Sequence, residues 1–168
     1  VLHTALIKQK ISGYAAPYGE WNSTVGEMVK NLAFSYSSEF SYAYDALPFF
    51  PYYNNAFSNV LQIPVHPLSS GRLYWGGNSD DDIYKYFLNK IEEKVKLFEP
   101  IVLYTHPEEK RFEILDRIFQ KINSYRIKNF KFIDFAEWWK KRDEFDFVVS
   151  YENNNITHSS INLDSSIW

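Results

Sequence analysis

Two histidines of this chain stand where a strand would hand over to a loop: His66, closing Leu61 to Val65, and His106, closing Ile101 to Thr105. Each is followed by proline. An imidazole titrates near neutrality, with an unperturbed pKa of about 6.5, so it can move a proton in catalysis or, when neutral, ligate a metal. A third candidate is Ala16-Pro17-Tyr18-Gly19, a turn after the short apolar segment Ile11 to Ala16, with Trp21 close behind. In parallel α/β architectures the loops at the C-terminal ends of strands converge on one face, where such residues can act together. A His-Pro pair also serves as a plain extended turn, and a strand-end histidine as a satisfied structural one. His3 and His158 fall outside these positions and read as surface residues.

Other chemistries are closed. The 168 residues include no Cys, which removes disulfides, thiolate metal sites and a cysteine nucleophile. There is no glycine-rich phosphate loop, no G-x-S-x-G elbow and no H-E-x-x-H helix. Asp80-Asp81-Asp82 looks like a cation site, but adjacent carboxylates on a helix point apart, and the run suits a helix N-terminus. Lys+Arg of 18 against Asp+Glu of 21 gives a net charge of -3, against a nucleic-acid partner bound by phosphate neutralisation. No apolar run approaches the roughly 20 residues that span a bilayer. The chain opens with Val1, and no signal peptide is visible. The aromatic share, 19%, serves core packing and also offers faces that stack on sugar rings or on another protein.

Positioning these residues requires alternating strands and helices. Thr24 and Glu27 form a capping-box pattern ahead of Val25, Met28, Val29 and Leu32 at helical spacing. Ala33 to Tyr36 reads as a strand, Ser37 to Asn59 as a long aromatic loop, and Leu61 to Val65 as a strand that Pro64 demotes to an edge or an end. Ser79 to Asp82 caps a helix whose apolar face is Ile83, Phe87, Ile91 and Val95, stopping near Phe98 because of Pro100. Ile101 to Thr105 reads as a strand buried on both faces. Phe112, Leu115, Ile118, Phe119 and Ile122 mark the next helix, Phe130 to Ile133 a strand, and Asp134 with Glu137 a capping box opening a helix over Phe135 to Lys141. Beyond Arg142, Phe145 to Tyr151, Asn153 to Asn155 and Ile156 to Ile161 read as a β-hairpin. The division is therefore 1–142, an α/β region with parallel strands, and 143–168, a hairpin or the start of an appended β region.

The stretch Gly13 to Asn22 contains Ala15-Ala16-Pro17-Tyr18, which resembles the Arg-x-Pro-Tyr motif of polysaccharide deacetylases, the carbohydrate esterase family 4 or NodB-homology group. Leu103-Tyr104-Thr105-His106 is similar to the Leu-x-His motif of that family, in the right order, and Phe130 to Arg142 is similar to the end of such domains. The resemblance covers roughly Ser12 to Arg142. It implies a portion of a distorted (β/α) barrel with parallel strands, a divalent metal, zinc by resemblance, and hydrolysis of N-acetyl groups on amino-sugar polymers. By the same resemblance His106 is the acid that protonates the departing amine, and the Tyr18 backbone N–H holds the oxyanion. Pro17 and Trp21 are then substrate contacts, and His66, outside the family's motifs, is the candidate for a further ligand or substrate contact.

Departures accompany the likeness. The Thr-Phe-Asp-Asp segment and the His-Ser/Thr-x-x-His pair that hold the family's metal have no counterpart, and Ala15 stands where the family has Arg. No metal ligand is therefore assigned in this chain. The expectation is the C-terminal portion of a deacetylase-like domain, completed by strands from elsewhere in the same protein or from a second chain. The alternative is a catalytically inactive carbohydrate-binding or assembly module that uses the aromatic loop from Phe40 to Phe57.

Overall fold

The computed structural model describes residues 10–40, 42–106, 111–144 and 146–160. His3 lies outside them, as does the proline after His106. The chain falls into two compact units that divide between Asn129 and Phe130. The first contains, in order, β1 (Gly13–Tyr14), a 3-10 turn (Pro17–Gly19), α1 (Ser23–Asn31), β2 (Tyr36–Ser37), β3 (Tyr52–Tyr53), β4 (Ala56–Phe57), β5 (Leu61–Gln62), α2 (Ser70–Trp75), α3 (Asp80–Leu97) and α4 (Phe112–Ser124). The second contains α5 (Phe132–Asp143), β6 (Phe147–Glu152) and β7 (Asn155–Ser160). Among the described residues no helix is long and apolar enough to cross a membrane.

A small sheet in the order β1-β2-β5, parallel throughout, organises the first unit. Its ladder runs past the short strands: the Ile63 N–H donates to the Ser37 carbonyl at 2.8 Å and the Val65 N–H to the Glu39 carbonyl at 3.1 Å. On its other side β5 meets two different segments. Gln62 exchanges both backbone bonds with Phe49, and the His66 N–H donates to the Val102 carbonyl at 3.0 Å. Pro64 falls between these two donors, at the step where the neighbour changes, so its missing N–H breaks no ladder. Of the expected edge or end of a strand, the structure has the end: β5 stops at Gln62, before Pro64, and Leu61 to Val65 is buried along its whole length with neighbours on both sides.

Segment Ile101 to Thr105 bonds to His66 through the Val102 carbonyl and is half-buried at most, not a strand covered on both faces. Ile101 and Leu103 pack against the helical core, while the ring of Tyr104 packs on Phe40. Among the described residues the sheet does not close into a barrel.

The core lies between α3 and α4, where Ile83, Phe87 and Ile91 meet Ile114, Ile118 and Ile122. Each such side chain contributes about 1.5–3 kcal/mol of burial before entropy is counted. The buried stripe of α4 is therefore Ile114, Ile118 and Ile122 at i, i+4 spacing, and Phe112 and Phe119 are exposed, unlike the face expected from sequence. Ion pairs set the direction: Asp80 with Arg111 and Asp81 with Arg117 at the N-terminal ends, Glu92 with Lys121 further along. The pairs occur in the same order on both helices, so α3 and α4 run parallel, and the 101–105 segment is the return path between them.

Helix boundaries follow local chemistry. In α1 the cap is Asn22, whose side chain accepts the Val25 N–H at 2.9 Å, rather than Thr24. Glu27 instead accepts a bond from Asn54. In α3, Ser79 and Asp82 form the capping box, and Phe98 ends the helix in the left-handed region while the Glu99 N–H bonds back to the Lys94 carbonyl. Two elements were not legible: α2, and the β3–β4 hairpin, whose Asn54-Asn55 turn has φ of 51° and 60°, the positive pair a two-residue hairpin needs. The expected strand Phe130 to Ile133 is absent, because helix α5 already begins at Phe132; its cap position, Lys131, makes no side-chain cap bond and Asp134 lies in its first turn. In the second unit β6 and β7 form the expected antiparallel hairpin, turning at Asn153-Asn154 with φ of 50° and 64°.

Candidate functional site

The C-terminal ends of the parallel segments carry the residues of interest. After β1, the chain turns through Pro17, Tyr18 and Gly19, with Tyr18 at φ 60° and Gly19 at φ 66°. A left-handed Tyr is uncommon and costs about 1–2 kcal/mol. The turn is closed by the Gly19 N–H on the Ala16 carbonyl and the Glu20 N–H on the Pro17 carbonyl. Tyr18 itself donates no backbone bond to any described residue, and its side chain is 89% exposed. The result is a free N–H on a fixed turn at a strand end, beside an exposed Pro17.

After β2 comes Phe40, which ties the strand ends together. Its N–H donates to the Gly19 carbonyl, and its ring lies where a Cβ on Gly19 would sit, 2.3 Å from the nearest ring atom. Tyr104 stacks on Phe40 with centroids 5.9 Å apart, and His106 stands edge-on to Tyr104 at 5.6 Å. His106 is exposed, and its ring makes no hydrogen bond with a described residue. A continuous run of packed groups thus links the Tyr18 turn to His106. Near it, the Tyr104 hydroxyl donates to the Pro67 carbonyl at 3.2 Å, and Ser70 and Thr105 pair through their hydroxyls at 3.3 Å.

Trp21 stacks on Tyr42 at 4.3 Å and meets the edge of Tyr53 at 5.7 Å, and Tyr42 in turn lies against Phe49. Its indole is therefore half-buried within the aromatic loop, with Tyr42 covering one face.

His66 is placed differently from His106. It is 3% exposed, its Nδ1 lies 3.0 Å from Asp45 Oδ2 and its Nε2 lies 2.8 Å from the Tyr86 hydroxyl. A carboxylate only accepts, so Nδ1 carries the proton, and a neutral ring accepts from Tyr86 at Nε2. Both nitrogens are occupied within the protein, the arrangement of a structural histidine, and the structure does not bring His66 to the exposed groups around His106. Asp45 also pairs with the buried Lys94 at 2.8 Å, which reaches Glu99 as well. Burial works against ionisation of Asp45, but the hydrogen bonds from Lys94 and His66 outweigh it and hold the carboxyl below its usual range.

Glu39, at the end of β2, escapes sequence reasoning. It is fully buried, accepting from the Ser37 hydroxyl and the Gln62 amide, with burial raising its pKa against those two bonds. Ser37 opposes Gln62 in register, and Glu39 lies two residues on, so the three share one face of the sheet. The available signal was an acid beside two serines at a strand end, lost because the strand was placed at Ala33 to Tyr36.

Among the described residues no three of His, Cys, Asp and Glu gather where they could hold a metal ion. The described residues do not fit the divalent metal that the deacetylase resemblance implies. No family model, curated protein or solved structure matches this chain.

Proposed function

We propose that the first unit is the C-terminal portion of a distorted (β/α) barrel of the polysaccharide deacetylase type, acting on N-acetylated amino-sugar polymers. The winding supports it. Strands β1, β2 and β5 are parallel and adjacent in the order of the chain, the 101–105 segment bonds to His66 just beyond β5, and α3 and α4 run parallel, a winding that does not reverse as it does in a doubly wound sheet. The observation that carries the functional reading is the run of packed groups, through Phe40 and Tyr104, between the turn that presents the Tyr18 N–H, unbonded among the described residues, and the exposed His106.

In this reading the Tyr18 N–H donates to the carbonyl oxygen as negative charge develops on it, and a protonated His106 gives its proton to the amine that leaves. The left-handed turn fixes the donor before substrate arrives. The divalent metal, zinc by resemblance, is held by residues other than those described, in the same protein or in a second chain. A second reading, an inactive carbohydrate-binding or assembly module, is favoured by Ala15 and by the absence of a metal-holding group among the described residues.

Acetate release from N-acetylglucosamine oligomers by the full-length protein, with zinc supplied, separates the two. The enzyme reading expects release that falls by about 10²–10⁴-fold in His106→Ala. Unchanged release in that variant removes His106 as the acid, and oligomer binding without release establishes the module.

A further inference from the structure

Arg72, on α2, lies against Phe40 and Pro67 and has no ion-pair partner among the described residues. Its guanidinium carbon lies 5.9 Å from the centroid of the Phe40 ring, and its Nη1 donates to the Pro67 carbonyl at 3.3 Å, the carbonyl that also accepts the Tyr104 hydroxyl. Among the described residues no carboxylate lies within ion-pair distance of it, and the side chain is exposed. The chain's other arginines on the first unit's helices behave differently: Arg111 and Arg117 are spent on Asp80 and Asp81.

A guanidinium has five N–H donors in a planar fork that matches a carboxylate in a bidentate pair. One donor of Arg72 is used on Pro67, and the guanidinium lies within cation–π range of the Phe40 ring. The exposed side chain makes no other hydrogen bond with a described residue, and it lies beside Phe40 in the run from Gly19 to His106. Building on the saccharide reading above, we infer that Arg72 is the specificity-determining residue of this face and pairs with a carboxylate carried by the sugar polymer, so that the preferred ligand is an acidic amino-sugar chain.

The test compares two tetrasaccharides by calorimetric titration of the full-length protein: a neutral N-acetylglucosamine tetramer, and one alternating N-acetylglucosamine with glucuronate. The expected result is binding of the acidic ligand about tenfold tighter, the size of one charge-assisted pair, weakening with added salt. Arg72→Gln keeps a donor for Pro67 and is expected to bring the two ligands to equal affinity without changing the neutral one, while Arg72→Lys retains part of the preference. Equal affinity in the unaltered protein, or a preference that survives Arg72→Gln, overturns the assignment. Binding of neither ligand overturns the saccharide reading, and this inference with it.

Discussion

Asp45 lies 3.0 Å from the His66 Nδ1 through one carboxylate oxygen and, through the other, 2.8 Å from Lys94. It thereby couples the aromatic loop to the end of β5 and to α3, with its own N–H donating to the Val65 carbonyl at 3.3 Å. Removing its charge leaves the buried Lys94 ammonium with Glu99 as its one carboxylate partner among the described residues, beside the Asp45 carbonyl. Asp45→Asn is expected to cost about 2 kcal/mol, below the usual loss for breaking a fully buried pair because the carboxylate keeps some exposure to water. Urea unfolding at neutral pH measures it, and a change under about 0.5 kcal/mol would show that the pair is screened like one on the surface.

Asp45 and Glu39 respond to acid in opposite senses. The Asp45 carboxyl is held low in the folded protein, so its contribution is complete above the unfolded value of about 3.9 and is lost as the pH falls through its folded value. Burial raises Glu39, so its folded form is favoured below the unfolded value of about 4.3 and that advantage fades as the pH rises through the folded value. As the pH falls from neutral, the protein is therefore expected to gain stability on passing through the folded value of Glu39, above about 4.3, and to lose it again below the unfolded value of Asp45. Glu39→Gln should flatten the first change and leave the second. Urea midpoints of both proteins at several pH values check this, and identical profiles would exclude Glu39 as the source.

Gly19 and Tyr18 both occupy the left-handed region but should respond oppositely to substitution. Gly19→Ala adds a Cβ where the Phe40 ring lies, and φ 66° is strained for alanine. A loss of more than about 1 kcal/mol is expected. Tyr18→Gly relieves strain at an exposed side chain and should raise stability by roughly 0.5–1 kcal/mol. Since the donor proposed at Tyr18 is its backbone N–H, acetate release should survive that change in large part. Thermal melts with the release assay report both.

The capping box of α3 offers a local test. Ser79→Ala removes the acceptor for the Asp82 N–H and should cost about 1 kcal/mol. Helix content by circular dichroism and the melting midpoint measure it, with no change expected in saccharide binding.

What the sequence determined is local. Ser79 with Asp82, the apolar series Ile83, Phe87 and Ile91, and the stop at Phe98 before Pro100 specify α3 because caps, periodicity and proline sterics act within a few residues. The asparagines at 153 and 154 specify the C-terminal hairpin for the same reason, since they tolerate positive φ. The tertiary structure decided matters that depend on distant partners. Pro64 lies just past β5, buried with neighbours on both sides, because its missing donor falls where Phe49 gives way to Val102, a fact of pairing that no window of sequence contains. His66 and His106 have the same local signature, a strand end followed by proline, yet one is locked between Asp45 and Tyr86 and the other stands exposed on Tyr104. Their difference arises from side chains some 20 residues away for His66 and from packing on Phe40 for the Tyr104 that supports His106. Glu39 and Arg72 became visible for the same physical reason: burial and the absence of a counter-charge are properties of neighbours in space, and only the folded chain supplies them.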